Sequence, residues 1–258
     1  MKRMKLGKHR ITMYDSIEEL PMVRFQKYNK CLMIDAGLGS DLRAIDMHLT
    51  RTSEYIRKGE LENAATEMDN LRITLYNVQN GLTPHFLALT ALITNADGED
   101  TTDVSDDALM ALYERLSDAT VKDADDTLSS VKKKLERELN AYFPERQETA
   151  SVKEFYDIIK QRSLLVLENV VSGESEERDV LMKELTSTLL TKEKPQKYTG
   201  KSNVEIAYDK SFIGSCIAIQ QNLGIDAKNM TVIEYYRAIE YLEKQSEKGM
   251  NARSARRF

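Results

Sequence analysis

The chain has 258 residues, 41% hydrophobic and 31% charged, a balance that fits one large domain or two small ones with a real core. Its two cysteines, Cys31 and Cys216, form no CxxC pair, which excludes a zinc knuckle, a dithiol redox motif and a disulfide framework and favours a reducing compartment. No apolar stretch approaches the roughly 20 residues of a membrane span, and none follows the basic start as in a signal peptide. We therefore expect a soluble chain with no membrane partner.

The net charge of −5 is unevenly distributed along the chain. Residues 1–30 carry +5 and residues 249–258 carry +3, which leaves −13 on residues 31–248. Basic ends on an acidic body are typical of segments that contact acidic partners, here nucleic acid or the acidic body of a neighbouring copy. The alternative is that each end is only a solvated, disordered tail. The interaction candidates at the two ends are Lys2, Arg3, Lys5, Arg10, Arg253, Arg256 and Arg257.

The first predicted elements are an arm and two helices. Residues 1–15 have a poor hydrophobic period and are predicted to form an extended, basic N-terminal arm. The first helix is predicted to begin at Pro21, which suits a first turn, and to stop at Gly37, where a positive φ is tolerated. Gly39 then gives the chain room before Ser40-Asp41, a cap pair that opens the second helix.

Two glycine-containing stretches were tested as phosphate-binding loops. Gly37–Ser40 would follow a short strand, Leu32–Asp35, in a nucleotide-binding protein, but the fingerprint needs a third glycine where Leu42 stands. Gly200-Lys201-Ser202 matches the end of a P-loop, but Pro195 occupies the position of its first glycine. We therefore interpret Gly37–Ser40 as a corner between two helices and Gly200-Lys201-Ser202 as part of a linker.

Helical spacing and capping signals continue through most of the chain, giving about nine or ten helices and no obligatory strand. The helix over residues 151–171 has a wide apolar face and is predicted to be central, and Thr231 and Glu234 form a capping box before the last helix, which is predicted to stop at Gly249. We predict an all-α, multi-helix bundle with extended terminal arms. Its predicted regions are the basic arm 1–15, an N-terminal helical region 16–95, an acidic loop 96–104, a middle helical region 105–190, a linker 191–203, C-terminal helices 204–248 and a basic tail 249–258.

Residues suited to catalysis or metal binding are few. His9, His48 and His85 are the only histidines, and none has a metal ligand at the spacing that shares a helix face. Gly98 would place Ile93, instead of a carboxylate, at the first position of a calcium loop. No G-x-S-x-G elbow is present, although a Ser-His-Asp site with distant partners would not show in a sequence. We predict no catalytic, cofactor-binding or metal-binding residues, no cofactor, and no enzyme activity.

Aromatic residues cluster on the last predicted helix, where Tyr235 and Tyr236 are adjacent. A platform for stacking nucleic-acid bases would interleave them with Lys or Arg, but Glu234, Glu240 and Glu243 oppose the basic residues here. The pattern favours aromatic anchors of helix packing or of a subunit interface. Tyr235 and Tyr236 are therefore further interaction candidates.

Two stretches carry a resemblance to known proteins. They are Ile11 to Arg72, ITMYDSIEELPMVRFQKYNKCLMIDAGLGSDLRAIDMHLTRTSEYIRKGELENAATEMDNLR, and Met230 to Lys244, MTVIEYYRAIEYLEK. They resemble helical structural proteins of the portal-and-tail region in crAss-like phages of Bacteroides. The resemblance implies a virion component, either a helical subunit of a ring below the portal or a tail-associated or assembly protein. No functional residues carry over.

The resemblance and the helical pattern together predict a non-enzymatic structural virion protein, a ring or neck component that adapts portal to tail in a podovirus-like phage. The expected partners are further copies in a homo-oligomeric ring, the portal and other tail or neck proteins, with DNA contacted electrostatically by the basic arms. The expected location is the neck or tail of the virion, after synthesis in the host cytoplasm. The alternative is a tail-assembly chaperone or scaffold that is absent from the finished particle.

Overall fold

A computed structural model describes residues 1–119, 121–144, 150–173 and 175–255, and their side chains except those of 121–122, 150–153 and 247–255. Within these residues helix dominates, so the predicted all-α, multi-helix bundle is confirmed. The ten described α-helices are α1 (Met22–Leu38), α2 (Leu42–Arg57), α3 (Leu61–Asn80), α4 (Pro84–Leu92), α5 (Asp106–Leu116), α6 (Val121–Tyr142), α7 (Ala150–Ser172), α8 (Glu176–Thr191), α9 (Val204–Leu223) and α10 (Val232–Ala255). The four described strands are β1 (Lys2–Leu6), β2 (His9–Met13), β3 (Ile93–Ala96) and β4 (Glu99–Asp100).

The chain folds into two compact units, which are described separately. Unit 1 contains residues 1–36, 83–142 and 202–258, with the strands, most of α1, and α4, α5, α6, α9 and α10. Unit 2 contains residues 37–82 and 143–201, with α2, α3, α7 and α8.

The predicted N-terminal arm is instead a β-hairpin. β1 and β2 pair antiparallel, with Leu6 opposite His9, so Gly7 and Lys8 form a two-residue turn in which Gly7 has φ +58°. On one face of the hairpin, Leu6 and Met13 are fully buried. This buried face anchors residues 2–13 in the core of unit 1. The segment forms strands although its hydrophobic residues show little periodicity in the sequence, because alternate residues are buried.

A second hairpin replaces the end of the predicted N-terminal helical region and part of the acidic loop. The helical region was predicted to extend to residue 95, but α4 ends at Leu92 and β3 begins at Ile93. Asp97 and Gly98 form the turn to β4 with φ +54° and φ +92°, the conformation that two-residue hairpin turns require. The strands form one antiparallel sheet in the order β1-β2-β3-β4.

The core of unit 1 surrounds α4. Seven of the nine residues of α4 are buried, from Pro84 to Leu92, as expected for a helix that is apolar on all sides. Each helix start bonds to the segment that precedes the other helix: Met22 N donates to Met230 O at 2.8 Å, Val232 N to Leu20 O at 2.9 Å and Ile233 N to Ile17 O at 3.3 Å. The first turns of α1 and α10 are therefore held side by side.

Unit 2 begins at the corner between α1 and α2. The predicted stop at Gly37 is wrong, because α1 continues to Leu38 and the residue with positive φ is Gly39, at +66°. Gly37 is needed for another reason: a Cβ there would lie 1.8 Å from Tyr198 Oη. The cap is confirmed at Asp41, whose side chain accepts from Ala44 N at 2.8 Å.

Buried polar side chains hold this corner. Leu38 O accepts hydrogen bonds from His48 Nε2 at 3.1 Å and from Thr74 Oγ1 at 2.6 Å. His48 Nδ1 lies 2.6 Å from Glu67 Oε2, and both side chains are almost completely buried. The corner is therefore fixed by α2 and α3 together.

Two further helix predictions are wrong. The helix predicted to be central, α7, has no buried residue among its described side chains. α10 was expected to stop at Gly249 but continues to Ala255, so residues 249–255 are helical instead of an extended tail. The predicted linker over residues 191–203 does separate α8 from α9.

Candidate functional site

Three of the N-terminal interaction candidates share one face of the sheet. Cross-strand partners lie on the same face, and the register places Arg3 opposite Thr12 and Lys5 opposite Arg10. We call this surface, formed by Arg3, Lys5 and Arg10, the basic face. All three side chains are exposed and form no ion pair within the described residues, whereas the nearby acids Asp97 and Glu99 pair with His9 and Arg115. Lys2 precedes Arg3 by one residue and therefore lies on the opposite face of the sheet.

The remaining candidates lie in the C-terminal part of the sequence. Arg253 lies in α10 but its side chain is outside the described set, and Arg256 and Arg257 lie outside the described residues. Tyr235 is only 6% exposed, and its ring lies 5.7 Å from that of Tyr236. Of the two sequence interpretations, helix packing inside unit 1 is the one that the geometry of this tyrosine pair supports.

A solvent-open cavity of about 540 Å³ adjoins the basic face. This volume falls in the range of small-ligand sites. The positively charged side chains in its lining are Arg3 on β1 and Arg24 in the first turn of α1, and the N-terminal ammonium of Met1, also in the lining, pairs with Asp15 and Glu19. We call it the Arg24 cavity. Its lining residues are Met1, Arg3, Thr12, Tyr14, Arg24, Thr94, Asn95, Asp100, Thr101 and Thr102.

Arg24 is a buried cation held by backbone carbonyls. Arg24 is only 6% exposed. Its Nη1 donates to Ala91 O at 3.1 Å and to Ile93 O at 2.9 Å. Its Nη2 donates to Thr101 O, and the ring of Tyr14 lies 5.9 Å from its Cζ. A guanidinium has five N–H donors, so two remain without an acceptor among the described residues.

Burial disfavours the charged form of Arg24. Desolvation by burial lowers the pKa of its guanidinium, and within the described residues no carboxylate pairs with it. It also lies in the first turn of α1, where the helix dipole favours negative charge. Carbonyl dipoles compensate part of this cost, and an anion in the cavity would compensate more.

The hydroxyl groups of the cavity divide into two kinds. Thr94 Oγ1 donates to Thr12 O at 3.1 Å, and Thr101 Oγ1 donates to Ile93 O, so both protons are already used. Thr12 and Thr102 form no side-chain hydrogen bond within the described residues, so their hydroxyls are available as donors. The one acid of the lining, Asp100, accepts from Asn95 Nδ2 at 2.8 Å. Two guanidinium groups therefore face one carboxylate that is already hydrogen-bonded.

All three histidines lie beside carboxylate or carbonyl oxygens. His9 lies 2.6 Å from Asp97 through Nδ1 and 2.7 Å from Asp118 through Nε2, and these contacts raise its pKa. His85 Nδ1 lies 3.3 Å from Asp35 Oδ1, and its Nε2 lies at ion-pair distance from Asp125 without hydrogen-bond geometry. His48 lies between Glu67 and a backbone carbonyl. Both ring nitrogens of His9 and of His48 are therefore engaged in structural bonds.

Comparison with known proteins adds no family to these observations. No protein-family model, curated protein or solved structure matches the chain. Across the described residues, no three His, Cys, Asp or Glu side chains are close enough to hold a metal ion. In the same part of the chain, no helix is both long and apolar enough to cross a membrane.

A second surface, on α7 in unit 2, is apolar and exposed. Arg162 Nε donates to Thr186 Oγ1 at 3.0 Å and Asn169 Oδ1 accepts from Arg178 Nε at 2.6 Å, so this side of α7 faces α8. At about 100° per residue, the exposed apolar side chains spread over about 180° of the remaining circumference. We call this surface the α7 apolar face, formed by Phe155, Tyr156, Ile159, Leu164, Val166, Leu167, Val170 and Val171.

Proposed function

We propose that the chain is a non-enzymatic structural virion protein, a helical ring or neck subunit of a podovirus-like phage in which copies assemble with portal and tail neighbours. The observation that carries this proposal is the α7 apolar face. Val170 and Val171 are 78% and 83% exposed, and Leu167 is 60% exposed. Contiguous apolar surface of this kind is characteristic of protein interfaces.

A neighbouring copy is the occupant that we propose for the α7 apolar face. Exposed large apolar residues recur on the next helix, where Val180 and Leu181 are 51% and 44% exposed. The chain also carries a basic face, whereas residues 31–248 have a net negative charge. This distribution supports contacts between the basic face of one copy and acidic residues of another. The histidine geometry supports the non-enzymatic part of the proposal.

The proposal is tested first on the α7 apolar face. Leu167→Glu and Val171→Glu each put a charge into the interface, and loss of one buried aliphatic side chain costs about 2 kcal/mol, so association should weaken at least about 30-fold. Gln161→Glu adds the same charge on the polar side of α7 and should leave association unchanged. Size-exclusion chromatography with light scattering measures the mass of each species. A wild-type chain that stays monomeric alone and with its portal protein would contradict the ring.

The location is tested on purified particles. Mass spectrometry should detect the chain at a fixed ratio to the portal protein. Its absence from finished particles, with presence in infected cells, would replace the ring by the tail-assembly chaperone or scaffold. That protein would use the same apolar surface for a transient partner.

A further inference from the structure

We propose that the Arg24 cavity binds a phosphate group. This inference goes beyond the proposed function and does not depend on assembly. A tetrahedral, doubly charged oxyanion accepts several hydrogen bonds, and guanidinium groups are the side chains that match it best.

The first argument is the arrangement of donors. Arg24 contributes two N–H groups that no carbonyl occupies, and Arg3 contributes an exposed guanidinium from the adjoining strand. The free hydroxyls of Thr12 and Thr102 lie in the same lining. These donors come from β1, β2, α1 and the segment after β4, so the sheet and the helix together position them.

The second argument is the burial of the charge of Arg24. A cation that is nine-tenths buried, in the first turn of a helix and without a carboxylate partner, leaves a net positive charge in a partly desolvated site. If Arg24 served only to tie α1 to the sheet, the carbonyl bonds of its Nη atoms would be sufficient. The two further N–H groups of Arg24 and the exposed guanidinium of Arg3 are available to a bound phosphate.

The phosphate could be free or belong to the backbone of single-stranded nucleic acid. A free phosphate needs only Arg3 and Arg24. A strand would continue from the cavity along the basic face, so Lys5 and Arg10 would contact further phosphates. The contribution of Lys5 therefore distinguishes the two sources.

The test uses thermal unfolding and calorimetric titration of the full chain. The titrants are inorganic phosphate and a short single-stranded oligodeoxynucleotide, and chloride at equal ionic strength is the reference. Phosphate or the oligonucleotide should raise Tm above the chloride reference, and Arg3→Ala should weaken binding about tenfold, as expected for loss of one charge-assisted hydrogen bond. Arg3 is exposed, so this variant should keep the Tm of the wild type in chloride.

Lys5→Ala is the matched control, because Lys5 lies on the same face and outside the lining. It should leave the affinity for inorganic phosphate within about twofold and should weaken the oligonucleotide only if a strand follows the basic face. Arg24→Lys keeps the positive charge but removes the planar guanidinium. In phosphate, this variant should show no rise in Tm above its own Tm in chloride. The proposal is overturned if neither titrant stabilises the chain beyond chloride, or if Arg3→Ala and Lys5→Ala weaken inorganic phosphate equally.

Discussion

Gly37→Ala should destabilise unit 2, although the same change at an ordinary helical position stabilises a fold. Gly37 lies in the last turn of α1, and Ala is favoured over Gly inside a helix by about 1 kcal/mol. The added Cβ, however, would lie 1.8 Å from Tyr198 Oη and 2.7 Å from its Cζ, so the tyrosine ring has to move. Tyr198 is only 5% exposed, and its hydroxyl donates to Gln196 Oε1 at 3.0 Å.

The expected magnitude follows from what the displaced ring loses. Exposing much of a buried large side chain costs about 2 kcal/mol, and the hydrogen bond to Gln196 contributes about 1 kcal/mol. The gain in helix propensity offsets about 1 kcal/mol of this. Gly37→Ala should therefore lower the free energy of unfolding by about 2 kcal/mol.

Urea denaturation followed by far-UV circular dichroism measures this change against a matched control. Gly214 lies inside α9, and a Cβ there would meet no atom within 4 Å, so Gly214→Ala should raise the free energy of unfolding by about 1 kcal/mol. In a Tyr198→Ala background, Gly37→Ala should also become stabilising. If Gly37→Ala stabilises the otherwise wild-type chain as Gly214→Ala does, the reasoning from the Tyr198 contact is refuted.

Two further predictions concern local interactions. Asp41→Ala should lower the free energy of unfolding by about 1 kcal/mol in the same urea assay because it removes the cap on Ala44 N, whereas Ser40→Ala should change it by less than about 0.5 kcal/mol. His9 has a pKa raised above its ordinary 6.5 by its bonds to Asp97 and Asp118, so its stabilisation is complete below pH 6.5 and is lost as the pH rises through the higher folded value. The Tm difference between wild type and His9→Gln should therefore shrink over that interval, and a difference that grows with pH would contradict the assignment.

Most helices could be predicted because their signals are local. Ser105 caps α5 by accepting from Ala108 N, and Gly81 ends α3 with φ +64°. The capping box at Thr231 and Glu234 also forms, with Thr231 N donating to Glu234 Oε2 at 2.8 Å. Each of these signals requires only residues within one helical turn, so neither the rest of the fold nor the partner elements had to be known.

Two different reasons explain why the strands were not predicted from the sequence. Asp97-Gly98 is a strong local signal for a hairpin turn, and it could have been recognised within the acidic stretch. The pairing of β2 with β3 could not, because Ile11 and Ala96 are distant in sequence and the strands are short. Such short strands acquire their stability from long-range partners and burial, which a window along the chain does not contain.

The Arg24 cavity was also beyond prediction from the sequence. Arg3 was among the interaction candidates because of its charge, but nothing local to Arg24 indicates that it is buried against the carbonyls of Ala91, Ile93 and Thr101. A basic residue in a helix is exposed by default, since its long side chain reaches water easily. These carbonyls come from the end of α4, from β3 and from the segment after β4, all distant from Arg24 in sequence.

The amphipathic pattern of α7 was not sufficient to predict where this helix packs. An apolar face indicates that a helix must be covered, but it does not identify the cover, so the wide face of α7 predicted a central helix. In unit 2, α8 faces the side near Arg162 and Asn169, and the less exposed Ile158 and Leu165 lie on that side. The remaining apolar half would cost solubility if it stayed exposed. The same sequence pattern that normally marks a core therefore supports, on α7, the interface that we propose with a neighbouring copy.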